Sequence, residues 1–504
     1  MQENTNRAIA YNSAILYVKM AITTVCTLLT TRFALQALGV VDYGLYAVLG
    51  GIISFISIFN TIMSSTSNRF IAVAIGRGNL EEANKQFNVN ISIHVAIALL
   101  VLLLAYPVGA WYIPRYVNYD GPLSNSMMVY LVSIASCACS FIGVPYVGLL
   151  SAKEKFIVFS VVDILSHILK LAVAWMLVYH FQNKLVIYTI AMAVLTASHV
   201  IIYIVYCKRN YPKIVHLRIV HDKKMYKNVF DFSAWVGIGA VAHIGKSQGA
   251  ALIVNTFFDT VMNTAMGVAA GINAYVGMFA HNITHPMAPQ ITKSYAAGNR
   301  QRTDELLIMS TKYCFLLTLL MGSFFLIAPE WLLGLWLGDV PPFASVFLVL
   351  FVVDNLVMSL NEGVKNIIFA SGKISLYQIC TSTLNILSVV LGYFVLRGGA
   401  PAYFLTITYV CVSVIRFFII QWVLHHTLHY DSRSLWKHSY LPSLITVLLF
   451  VPVLFLPTIA HPAINLVLSF VYLCVLEWFI GLSKKERDQL LHFFQNEINS
   501  KLRK

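Results

Sequence analysis

The chain has 504 residues, of which 58% are hydrophobic and only 11% charged, whereas a soluble domain is roughly 45 to 50% apolar and 25% charged. Apolar runs long enough to cross a hydrocarbon core of about 30 Å recur from Ser13 to Leu482 and leave no room for a folded soluble domain. The net charge of +14 does not point to nucleic acid, because the basic residues gather in alternate loops, as the positive-inside rule requires of a polytopic membrane protein.

Hydrophobic periodicity predicts an all-α chain with about fourteen transmembrane helices, near residues 13–36, 44–67, 87–110, 126–150, 157–180, 184–206, 232–255, 260–283, 307–328, 343–369, 375–396, 401–424, 438–459 and 462–482. The polar start MQENTNRAIAYNS runs into the first helix without a cleavage-site pattern, so a retained span is expected and not a signal peptide. Loops on one side hold Arg69, Arg77, Lys85, Lys153, Lys155, Lys293, Arg300, Arg433 and Lys437; those on the other hold little more than Arg115, Lys184 and Arg397. Both termini are therefore expected in the cytoplasm. Eight cysteines lie in or beside apolar helices with no CxxC pair, which indicates neither a disulfide framework nor a metal site, and no cofactor motif is evident.

Offsetting the residue numbers by 220 (298 − 78) superimposes the two halves of the chain. Gly51-Ile52 then meets Gly271-Ile272, Gly78-Asn79 in GRGN meets Gly298-Asn299 in AAGN, Trp111 meets Trp331, and Ser151 and Lys153 meet Ser371 and Lys373. Six helices per half is an even number, so two parallel six-helix lobes are expected, with a substrate path between them. The lobes would be 1–206 and 229–424. A basic linker, 207–228, reads as a topology determinant touching anionic membrane lipids. Two further helices, 425–482, follow, and the tail 483–504 places Leu490, Phe494 and Ile498 at amphipathic spacing.

A charged side chain at the bilayer centre costs about 2.5 to 3.5 kcal/mol on insertion scales, so each one demands a reason. Gly239, His243, Lys246 and Ala250 share a face of the seventh helix, and small residues leave room beside the ammonium. Lys246 is expected to face the path, the alternative being an ion pair with an acid on another helix. In the first helix Asn12, Lys19, Thr23, Cys26 and Thr30 form a polar stripe; Lys19 faces the path or snorkels to the surface, and Arg32 snorkels outward or caps the helix. Asp163, His167 and Lys170 share a face of the fifth helix, as a self-neutralised network or a proton relay. On the tenth, Asp354, Asn361 and Lys365 form a stripe with Glu362 beside it; its acids are candidates for ion coupling or for partnering Lys246.

The stretch TRFALQALGVVDYGLYAVLGGIISFISIF, Thr31 to Phe59, followed by NRFIAVAIGRGNLEEANKQF, resembles the O-antigen type polysaccharide flippases of the multidrug/oligosaccharidyl-lipid/polysaccharide exporter superfamily. The turn from Leu38 to Tyr46 and the GRGN turn carry the match. The resemblance implies a central cleft lined by the first and seventh helices and a polyprenyl-pyrophosphate-linked oligosaccharide as cargo. It also implies alternating access with proton or sodium coupling, a bacterial inner-membrane location and a polysaccharide polymerase as partner. Lys19, Arg32, His243 and Lys246 then become substrate-binding candidates, and Asp163, His167, Lys170, Asp354 and Glu362 ion-coupling candidates. A cation or drug antiporter on the same fold is the alternative, but it needs acids in the binding lobes, and the first helix offers none. A membrane enzyme would need paired carboxylates or a metal site in a sizeable external loop, and none is evident.

Overall fold

The computed structural model describes residues 2–116, 121–179, 183–258, 260–337, 339–455, 461–489 and 491, with side chains described for all of these but 2–7, 40, 47, 48, 50–58, 116 and 260. Among the described residues every regular element is helical. The chain forms two compact units, residues 11–237 and residues 238–504 with 1–10.

In the first unit α1 (Gln2–Gly76) stays helical through the stretch that the sequence reads as a turn, broken only at Gly39 (φ 75°, ψ 174°). That conformation is open essentially to glycine alone, so one residue does the work of a loop. The helices α2 (Leu80–Tyr116), α3 (Leu123–Ala152), α4 (Phe156–Tyr179) and α5 (Lys184–Asn210) follow, with α3 packed against both α2 and α5. Two apolar cores hold the bundle: Phe87, Tyr146, Leu149 and Phe156 in one, Ile113, Ile134, Leu177 and Leu185 in the other.

The basic linker is not a free tether. Its short helix α6 (Pro212–Val215) packs on α2, where Asn84 Nδ2 donates to the carbonyls of Ile214 (2.8 Å) and His216 (2.7 Å). Asn88 Nδ2 donates to the His216 carbonyl, and its Oδ1 accepts from the Arg218 amide.

The second unit continues α7 (Lys223–Phe257) and adds α8 (Thr260–Thr284), α9 (Met287–Ala296), α10 (Arg300–Ile327), α11 (Pro329–Leu337), α12 (Ala344–Ser359), α13 (Glu362–Ser371), α14 (Ser375–Arg397) and α15 (Phe404–Leu428). After α16 (Arg433–Leu435) a π-helical turn leads into α17 (Leu441–Leu454), and α18 (Pro462–Leu476) ends the bundle. The last two helices share its core, since Phe450 and Leu473 pack in one cluster with Phe315, Phe347 and Leu405.

With α1 read as two segments, α12 with α13 as one, and the short α6, α9, α11 and α16 left aside, these helices supply the fourteen expected. Ten helices among the described residues are long and apolar enough to cross a membrane, or eleven if the bent α12–α13 pair counts as one span. Neither α7 nor α8 is among them; both are long enough but rich in Gly, Ala, Asn, Ser and Thr. The turns GRGN and AAGN recur bond for bond. The Gly78 amide donates to Ile75 and Asn79 to Ala74, while Gly298 donates to Tyr295 and Asn299 to Ser294. In each, the asparagine side chain caps the next helix by accepting from the amide three residues on. Of the tail, residues 484–489 are helical; Leu490, Phe494 and Ile498 lie outside the described residues.

Candidate functional site

Three polar clusters occupy the helices of the two units, and they revise how the sequence groups the charges. In the first unit Lys19 Nζ lies 2.7 Å from Asp163 Oδ2 on α4. Lys19 therefore neither snorkels nor stands open. Asp163 Oδ1 meets His199 Nε2 at 3.3 Å, and the same nitrogen lies 2.7 Å from the Tyr203 hydroxyl. His167, expected beside Asp163, turns its Nδ1 to the Asp163 backbone carbonyl instead (2.8 Å). The face shared by Asp163, His167 and Lys170 is real, but the carboxylate is neutralised across helices rather than along its own.

Lys170 and His167 line a neighbouring cavity of about 500 Å³ between α1, α3, α4 and α5. Its wall is largely hydroxyl, including Thr27, Thr30, Ser136, Ser140, Thr189 and Thr196. Most of these hydroxyls already donate to the carbonyl one helical turn back, as Thr30 does to Cys26 (2.7 Å) and Thr189 to Leu185 (2.8 Å). What they present to the cavity is acceptor lone pairs. Lys170 supplies the positive charge there and forms no ion pair among the described residues. Edge-on packing of Tyr46 on Tyr188, with ring centroids 5.0 Å apart, closes one side.

In the second unit Lys246 Nζ lies 3.3 Å from Asp354 Oδ2, with side chains only 13% and 11% exposed. The other carboxylate oxygen accepts from the Ser413 hydroxyl. Tyr409 closes the cage: its ring lies 4.2 Å from the ammonium, and its hydroxyl donates to the Lys246 carbonyl. The expected open lysine is thus a sealed ion pair. A helical wheel assigns a face; it does not say which neighbour occupies it.

The stripe drawn through Asp354, Asn361 and Lys365 is also broken, because α12 and α13 bend by 44° at Leu360 and Asn361. Glu362 opens α13, where the helix N-terminus favours a carboxylate. It pairs with Lys365 (2.8 Å) and lies 3.5 Å from His281 Nδ1. These three, with Arg416, Asn355 and Tyr377, line a cavity of about 300 Å³ that His243 also borders. Arg416 donates to Asn385 Oδ1 at 3.2 Å. Arg32 is exposed on α1, outside all three clusters.

His199, Ser413, Tyr409, His281 and Arg416 belong to these clusters and are not among the sequence candidates. None of them carries a motif that sets it apart from the other polar residues of its helix. Set side by side, the first unit's cluster has Lys19 and Lys170 against Asp163; the second has Lys246, Lys365 and Arg416 against Asp354 and Glu362. Cations exceed carboxylates in both. Among the described residues no group of three His, Cys, Asp or Glu side chains is placed to hold a metal ion.

No protein-family model matches the sequence, and no curated protein matches it. Solved structures do. A variant of the Vibrio cholerae MATE transporter VcmN superposes with a TM-score of 0.73 at 14% identity, covering 86% of this chain and 100% of that one. An outward-facing multidrug resistance MATE family transporter of the MOP superfamily gives 0.70 at 11%, covering 83% and 96%. A MOP superfamily transporter from Pyrococcus furiosus, described as having a binding pocket of reverse polarity that suggests a different function, gives 0.68 at 12%, covering 84% and 96%. The chain has the fold of the MATE transporters of the MOP superfamily.

Proposed function

We propose that this protein is a membrane transporter that moves a polyprenyl-pyrophosphate-linked oligosaccharide from the cytoplasmic to the periplasmic leaflet by alternating access, coupled to a proton or sodium gradient. The observation that carries the reading is Lys170, a cation with no acid partner in contact among the described residues, in a cavity rich in hydroxyl-bearing side chains. That chemistry suits a hydroxylated anion: the ammonium binds a phosphate or acidic sugar through charge-assisted hydrogen bonds, and the wall accepts from sugar hydroxyls. The excess of cations over carboxylates in both units supports the same polarity. The solved structures that share this fold and are described as MATE transporters support a transport role.

An ion-coupled antiporter of cationic small molecules fits the fold equally well. Its support is the trio Asp163, Asp354 and Glu362. Each of these, however, already faces a lysine at 2.7, 3.3 and 2.8 Å, so a cationic cargo would have to displace an intramolecular cation.

The test is leaflet sidedness in proteoliposomes loaded with a polyprenyl-pyrophosphate oligosaccharide. Wild-type protein should expose the glycan to an external lectin over time, and Lys170→Ala should slow this at matched protein abundance. Absence of transport by the wild type, with uptake of a cationic dye instead, would move the antiporter to the front.

A further inference from the structure

The first unit carries a second concavity whose chemistry is the opposite of the hydroxyl-lined cavity. It encloses about 710 Å³ between α1, α2, α3 and the start of α7. One wall is a stripe along α2, with Ile93, Ile97, Leu100, Leu104 and Val108 at i, i+4, i+7, i+11 and i+15. Fifteen residues at 1.5 Å each make it roughly 22 Å long, most of the hydrocarbon thickness of a bilayer. The concavity comes from small side chains, Ala96, Ala105, Ala234 and Gly237, set between large ones.

The groove offers little to a polar ligand. Among the described residues two hydroxyl-bearing side chains line it. Ser233 commits its hydroxyl to the Val229 carbonyl (2.8 Å) and to the Thr66 hydroxyl (3.0 Å). Tyr130 is 3% exposed and packed under Gly109, where an added Cβ would lie 2.4 Å from the ring. Along the opening, by contrast, Phe59, Leu100, Leu104 and Phe230 are 50 to 70% exposed. At the Phe230 end two cations accompany the exposed carboxylate of Asp231: the Arg69 guanidinium lies 4.7 Å from the Phe232 ring and 4.8 Å from the Phe70 ring, and Lys227 is exposed one turn before Phe230.

An apolar slot that spans most of the hydrocarbon core, with an excess of cations at one end, matches a long apolar chain that bears an anionic head. We infer that this groove on α1, α2, α3 and α7 is a binding site for the polyprenyl chain of an anionic polyprenyl lipid. The inference rests on the lipid-linked cargo proposed above and adds to it: the chain travels seated on the first unit and is not left in bulk lipid. Gly237 is the natural place to block it, because an added Cβ there meets only the Ile62 Cδ1, at 3.6 Å.

The experiment uses the full-length protein in nanodiscs and a polyprenyl phosphate bearing a diazirine on its chain, with a diazirine-bearing diacyl phosphatidylglycerol as comparator. After irradiation the labelled peptides are mapped by mass spectrometry. The polyprenyl probe should label segments 93–108 and 230–237 about fivefold more than the comparator, a modest difference in affinity. Gly237→Leu and Ala96→Phe should each abolish that preference, and unlabelled polyprenyl phosphate should compete in wild-type protein, a readout that does not depend on either variant folding. Equal labelling by the two probes would identify annular lipid only and overturn the inference, as would labelling unchanged by competitor. Because the probe carries no glycan and nothing has to move, a labelled groove in a protein that flips no cargo would keep this site and remove the transport reading. Flipping without groove labelling would do the reverse.

Discussion

Lys246 on α7 and Asp354 on α12 form an ion pair that has no counterpart under the 220-residue repeat. The repeat places Lys246 at Cys26 and Asp354 at Ile134, neither of them a charged residue (246 − 220 and 354 − 220). Each unit carries a partly buried lysine on its opening helix, but neutralises it from a different helix: α4 for Lys19, α12 for Lys246. The alignment of the halves therefore leaves these two pairs unmatched.

Breaking such a pair from one side strands a charge. With Lys246 and Asp354 nearly enclosed, Asp354→Asn is expected to destabilise the protein by about 3 to 5 kcal/mol, whereas the double replacement Lys246→Met with Asp354→Leu should fall near wild type. Thermal unfolding in detergent measures both. Equal loss in the single and the double variants would mean that the pair is not what holds the site.

Lys170 should behave in the opposite way. With no ion pair to break among the described residues, Lys170→Ala is expected to leave stability within about 0.5 kcal/mol while reducing the proposed anion transport about tenfold, near 1.4 kcal/mol of lost interaction. Lys170→Arg should retain part of the rate. The comparison of unfolding midpoint with sidedness rate separates a transport role from a structural one.

Glu486 gives a pH dependence with a definite sign. Burial alone would raise its carboxyl, but the Lys312 ammonium and the hydrogen bonds from Ser483 outweigh this and hold it below the usual carboxylate range. Its stabilisation is therefore complete above the unfolded value of about 4.3 and is lost as pH falls through the lower folded value. Wild type should lose stability in that acid range, and Glu486→Gln should show a smaller acid-dependent loss from a lower starting point. Unfolding midpoints measured between about pH 3 and 7 show the difference.

The paired turns offer an internal control. Gly78 and Gly298 sit at φ 70° and 72° with nothing within 4 Å of an added Cβ. Alanine at either position therefore costs backbone strain only, about 1 to 2 kcal/mol, and the two costs should agree. Asparagine should restore part of the loss. Unequal penalties, read by thermal unfolding, would show that tertiary surroundings differ at the two turns.

The linker is held by side chains of α2. Replacing both Asn84 and Asn88 with leucine removes four hydrogen bonds to its backbone, each worth about 0.5 to 1.5 kcal/mol. Limited tryptic cleavage at Lys213, Arg218 and Lys223 should accelerate markedly, with the transmembrane bundle still intact on gels.

Fourteen helical segments are legible in the linear sequence because length, apolar periodicity and turn chemistry are local properties: twenty apolar residues form a helix in hydrocarbon whatever lies beside them. The duplicated GRGN and AAGN turns are legible for the same reason, since capping is decided within about five residues. The kink at Gly39 was half legible, as a turn whose glycine was visible and whose lack of a loop was not. Partnership is a different matter. The sequence places Lys19, Lys246, Asp163, Asp354 and Glu362 on faces of helices, but Asp163 finds Lys19 at a separation of 144 residues and Asp354 finds Lys246 at 108. His199, Ser413 and Tyr409 join them only because helices remote in sequence pack side by side. A wheel has an angle and no neighbours; burial leaves each charge needing a partner, and only the packing of the helices determines which one it meets.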